Sequence, residues 1–64
     1  MSQQDENLRE ALRLAQETME KCDAFIGESS DDSCRIIYTR IKELMAEQSE
    51  VLEQELDTHE QGPG

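Results

Sequence analysis

Leu8, Leu12, Ala15, Met19, Cys22 and Ile26 recur at intervals of 4, 3, 4, 3 and 4 residues, the a/d repeat of a helix that lays one apolar seam against a neighbour. No Gly, Pro or β-branched run interrupts the stretch, and its Ala, Leu, Arg, Gln, Glu and Met favour helix. Ser2, with Asp5 three residues on and Glu6 behind it, reads as an N-cap followed by first-turn acids. The pattern predicts a first helix over about 3–26. Ala11 and Phe25 share a flanking position and widen its stripe, whereas Leu14 lies outside it. Asp5 with Arg9, and Glu17 with Lys21, have the spacing of exposed ion pairs along one helix.

A second stripe follows a different period. Cys34, Ile37, Ile41, Met45, Gln48, Leu52 and Leu56 are spaced 3, 4, 4, 3, 4 and 4, an eleven-residue repeat that stays in line on a nearly straight helix. Leu44 and Val51 flank this stripe and make it broad enough for more than one neighbour. Ile36 lies outside it near the bend, and Tyr38 sits at its edge, where a ring packs while its hydroxyl stays wet. Gln48 is the polar exception: either a buried amide that fixes register, or a side chain reaching to water. The second helix is predicted over about 31–57.

Between the two lies GESSDDS, Gly27 to Ser33. Gly27 directly follows Phe25 and Ile26, where a C′ glycine ends a helix. Ser29, Ser30, Asp31 and Asp32 then offer oxygens to the free N–H groups of a new helix, with Ser30 the preferred N-cap and Asp32 its competitor. A turn over 27–30 is too short to span a helix length, so the helices must be antiparallel neighbours. His59 to Gly64, HEQGPG, reads with Thr58 as a disordered tail over 58–64. The fold expected is all-α: one domain over 1–64, an antiparallel two-helix hairpin.

Composition changes that picture in one respect. With 64 residues, 34% of them apolar, and only Phe25 and Tyr38 as aromatics, the chain has little material for a core. Two helices bury one side each, so the expectation is a hairpin completed by other helices, as a homodimeric four-helix bundle or with a helical protein partner. A net charge of −10 argues against direct binding to nucleic acid or anionic membranes and leaves a basic protein partner open. No apolar run approaches the ~20 residues that cross a bilayer, and no secretory pattern opens the sequence, so a cytoplasmic location is the expectation.

After Lys42 come Glu43, Glu47, Glu50, Glu53, Glu55, Asp57 and Glu60 with no Lys or Arg among them. This run is either a solubilising surface or an acidic docking face. It opposes the helix dipole, and the expected relief is pairing of Arg9 or Arg13 across the hairpin with Glu50, Glu53 or Glu55.

Chemistry has few places to reside. Cys22 and Cys34 belong to separate seams that the bend brings within about a turn of each other. Buried free thiols are the leading reading, with a bridge or a redox or metal role as alternatives. No nucleophile–base set, glycine-rich phosphate loop or HExxH is present, so no enzyme activity and no cofactor are expected. The function expected is a small acidic protein–protein interaction module acting by helix–helix association, as an adaptor, co-chaperone or regulatory subunit. An acidic decoy that occupies the nucleic-acid-binding surface of a basic protein is the alternative. The residues expected to carry helix packing or partner contact are the two stripes, with Phe25, Leu44 and Val51.

Overall fold

A computed structural model describes residues 2–61 as two helices, α1 (Gln3–Glu28) and α2 (Asp32–Gln61), packed against each other as an antiparallel hairpin. The molecule measures 52 × 15 × 12 Å, with a radius of gyration of 14.9 Å, against about 11 Å for a compact domain of this length.

Each helix begins where a side chain captures free backbone donors. At the start of α1, Ser2 is extended (φ −78°, ψ 158°) and its hydroxyl accepts the Asp5 N–H at 3.1 Å. At the start of α2 the cap is Asp31, neither Ser30 nor Asp32. Its Oδ1 accepts the Ser33 N–H at 2.9 Å, its carbonyl accepts the Arg35 N–H at 3.0 Å, and the Cys34 thiol donates to Oδ2 at 3.6 Å. A carboxylate makes the stronger, charge-assisted bond and also suits the positive end of the helix dipole.

The stop of α1 also differs from the expectation. Gly27 is helical, and the helix runs to Glu28. Ser29 ends it with ordinary extended dihedrals (φ −81°, ψ 132°), its N–H closing a last turn on the Phe25 carbonyl at 2.9 Å. Its hydroxyl then accepts the Asp31 N–H at 3.2 Å and donates to the Asp31 carbonyl at 3.1 Å. A serine that ties itself to the next cap takes the role expected of a left-handed glycine. The connection is therefore residues 29–31 rather than 27–30.

The end of α2 is extended as well. Residues 58–61, expected in a disordered tail, are helical, while the last part of that expectation, 62–64, lies outside the described residues. His59 accounts for the extension. Its Nδ1 lies 2.5 Å from Asp5 Oδ1 on α1 and its Nε2 lies 2.9 Å from Glu55 Oε2, stitching the last turn to the first turn of the other helix.

The first stripe packs as its heptad predicts: Ala15 and Cys22 are buried and Leu8, Leu12, Met19 and Ile26 are half-buried. The second stripe is corrected. Ile37 is 55% exposed and Gln48 is exposed, while their sequence neighbours Tyr38 and Ser49 turn inward. The inward positions of α2 are Tyr38, Lys42, Met45, Ser49, Leu52, Leu56 and His59, spaced 4, 3, 4, 3, 4 and 3. Two helices that stay in contact over most of their length need stripes of one period, so α2 adopts the heptad of α1. Counting equally from the Asp5–His59 contact brings Ala15 level with Ser49. Both are 6% exposed, and small residues at one level let two helices approach closely. Gln48 in that layer would have wedged them apart and buried an amide; it faces water instead.

Candidate interaction face

The hairpin leaves much of its apolar surface uncovered. Among the described residues only Ala15, Cys22 and Leu56 form the buried hydrophobic core, and none is fully sealed. The accessible surface is 4945 Å², against about 4,200 Å² for a compact protein of this mass. Leu14, Phe25, Ile36, Ile37, Leu44 and Val51 are large apolar side chains left at least 43% exposed.

Five of these six share one side of the molecule. On α1, Ala11, Thr18 and Phe25 recur every seven residues immediately beside the seam, with Leu14 next to them. On α2, Ile37, Leu44 and Val51 recur every seven residues, and half-buried Ile41 and exposed Gln48 fill the intervals. In an antiparallel pair these flanking positions of both helices fall on the same side. Two contacts bear this out. Phe25 packs on Tyr38 with ring centroids 5.4 Å apart, and a shallow groove at the open end brings Gln4, Leu8 and Ala11 of α1 together with Glu55 and His59 of α2. Thr18 sits on this side, half-buried, with its hydroxyl donated to the Leu14 carbonyl at 2.8 Å. Ile36 lies on the other side, in a groove with Ile26, Arg35 and Thr39.

No family model, curated relative or solved structure matches the chain. The face must therefore be read from its own chemistry.

Glu55 apart, charge is arranged around this face rather than within it. Glu43, Glu47, Glu50, Glu53, Glu55 and Asp57 are all exposed, and all but Glu55 fall within about 120° of arc on one outer side of α2 at 3.6 residues per turn. Glu43, Glu50 and Asp57 repeat every seven residues on the back of α2, and Glu55 stands beside His59 on the apolar side. Arg13 does not cross the hairpin: it holds Glu10 through two bonds of 3.1 and 2.6 Å and Glu17 at 2.9 Å. The hydrogen bonds and charge of Arg13 hold the Glu10 carboxyl below its usual range. Asp5 reaches across the hairpin to His59. Near the bend Lys42 crosses to Asp23 at 2.5 Å, the lysine stem lying half-buried along the seam.

The two cysteines lie apart in this arrangement. Both are free, Cys22 buried and Cys34 half-buried. The Asp23–Lys42 pair places Cys22 level with residues near Lys42, so Cys34 lies roughly 12 Å nearer the bend at 1.5 Å rise per residue. That is two helical turns, not one, and too far for a bridge within the chain. Among the described residues there is no group of three or more His, Cys, Asp or Glu that could hold a metal ion. Neither described helix is long and apolar enough to cross a membrane.

Lys42, Ser49 and His59 are inward residues that the sequence pattern missed, and Tyr38, placed at the stripe's edge, turns inward with them. Asp5 first and then Glu55 accept hydrogen bonds from the protonated ring, which raises the His59 pKa above the ordinary value. The stabilisation it gives is therefore fully present below about pH 6.5, the unfolded value, and is lost as pH rises through the higher folded value. Thermal melts of the native chain and of His59→Gln between about pH 5.5 and 8.5 should converge at the alkaline end and separate at the acid end, the native chain melting higher. A constant gap across that range would show that the imidazole proton plays no part.

Proposed function

We propose that this chain is a protein–protein interaction module, acting by helix–helix association as an adaptor, co-chaperone or regulatory subunit and not as an enzyme. The observation that carries the reading is the surplus of apolar side chains on one side of the hairpin: Leu14, Phe25, Ile37, Leu44 and Val51, between 43% and 56% exposed. Their seven-residue repeat on α2 is a second helix-packing seam, beyond the one that closes the hairpin. Covering it with two more helices gives a four-helix bundle, which supplies the core that the hairpin alone lacks. The acidic-decoy reading is the alternative: Glu43, Glu47, Glu50, Glu53 and Asp57 are exposed on one side of α2, but that reading leaves the exposed apolar side chains without a role.

Replacing both Leu44 and Val51 with glutamate tests the reading. The native chain is expected to scatter light as an assembly larger than one chain at micromolar concentration. The Leu44→Glu/Val51→Glu variant is expected to scatter as a monomer and, since both sites lie outside the hairpin seam, to keep its helical circular dichroism at low temperature. Equal masses for the two proteins would remove the face from any role in self-association.

A further inference from the structure

We infer that the occupant of this face is a second copy of the chain, with α2 lying antiparallel on the partner's α2 about a two-fold axis that passes between Ile41 and Leu44. The inference rests on the association reading above and adds the partner, the helix pairing and the register.

The stripe Ile37, Ile41, Leu44, Gln48 and Val51 is spaced 4, 3, 4 and 3. In antiparallel packing, layers alternate between its two kinds of position. With the axis between Ile41 and Leu44, Ile41 meets the partner's Leu44 and Leu44 meets the partner's Ile41. Ile37 lies level with the partner's Gln48, so the two amides fall toward the ends of the contact rather than its centre. Arg40 and Glu47 stand at the outer border of the stripe, three residues beyond Ile37 and Leu44, and both are exposed. In this register Arg40 of each copy reaches the partner's Glu47, giving two ion pairs related by the axis.

Charge selects this register over its neighbours. Sliding the copies by one heptad, toward the acidic end, places Glu47 against the partner's Glu47 and moves both glutamines to the centre. Laying the two α2 helices parallel stacks one acidic run on the other. The antiparallel register instead carries the residues beyond Glu53 past the partner's bend, which separates the most acidic segments of two chains that each carry a charge of −10. On α1 the same axis falls near Lys21 and Cys22, so that Phe25 lies across from the partner's Thr18.

The test is a charge exchange on the full chain, read by analytical ultracentrifugation with circular dichroism as a check that each variant is helical. Arg40→Glu alone sets carboxylate against carboxylate at both pairs, and Glu47→Arg alone sets guanidinium against guanidinium at both. Each should dimerise about tenfold or more weakly than the native chain, and more so at low salt. Mixing the two variants creates a heterodimer in which one copy carries carboxylates at positions 40 and 47 and the other carries guanidinium groups at both, so that each of the two cross-copy pairs is again opposite in sign. The double variant restores opposite signs within one homodimer. Both should return to near-native affinity. A native dimer whose single variants are unaffected, or are not rescued by mixing, overturns this packing and leaves association through the face intact. A chain that is monomeric at every concentration overturns the second copy as occupant.

Discussion

Leu56→Ala should cost the hairpin about 2–5 kcal/mol, the range for removing a buried leucine. For a domain of this size that is a large share of a total stability of roughly 3–10 kcal/mol. Among the described residues Leu56 is the only large aliphatic side chain in the buried core, at 8% exposure, one helical turn before the His59 contact that holds the open end. With about 4–8 °C of melting temperature for each kcal/mol in a domain this small, thermal circular dichroism should show a fall of at least about 8 °C. Ile36→Ala removes a similar volume at a site 69% exposed, and its effect should stay within about 0.5 kcal/mol. Equal losses at the two positions would mean that the seam described here is not the core.

The second large effect runs the other way. Ser49 is 6% exposed and its hydroxyl has no hydrogen-bond partner. An unsatisfied buried hydroxyl costs about 1–3 kcal/mol, and serine is a poorer helix former than alanine by about 0.5 kcal/mol. Ser49→Ala keeps the small volume that lets α2 approach Ala15 and removes both costs. Together these amount to at least about 1.5 kcal/mol, so the melting temperature should rise by about 6 °C or more. A lower melting temperature would show instead that the hydroxyl is bonded in solution, the Met45 carbonyl one turn back being the nearest acceptor in reach of a rotated side chain.

These two positions mark the boundary of what the pattern of residues reveals. The seam of α1 is legible because six residues repeat without a competing pattern and the helix has one side to bury. On α2 two stripes run side by side: Tyr38, Lys42, Met45, Ser49, Leu52 and Leu56 face α1, while Ile37, Ile41, Leu44, Gln48 and Val51 do not. An eleven-residue repeat threads through both of them, taking Ile37, Ile41 and Gln48 from the outer stripe and Met45, Leu52 and Leu56 from the inner. Hydrophobicity alone favours isoleucine over tyrosine and gives no weight to a serine. The missing signal is size: a small residue level with Ala15 is needed, and Ser49 supplies it. The heptad of α1, imposed on α2, runs on through Leu56 to His59 and brings the histidine out of the tail.

The bend lies where the sequence puts it and is built differently. The serines and aspartates of GESSDDS are recognisable as capping groups, but the choice among them depends on backbone angles that the sequence does not specify. Once Ser29 bonds to Asp31, glycine's freedom is not needed at Gly27, and the helix runs through it.

Sequence by itself determined that this protein is two helices joined by a tight capped turn, because helix periodicity and capping are local and each residue's contribution is read within a few neighbours. Tertiary structure decided which face of α2 turns toward α1, that Asp5 and His59 close the open end, and that Ile37, Leu44 and Val51 remain outside. Those outcomes depend on fitting side-chain volumes across two helices at once, a constraint that neither helix carries alone.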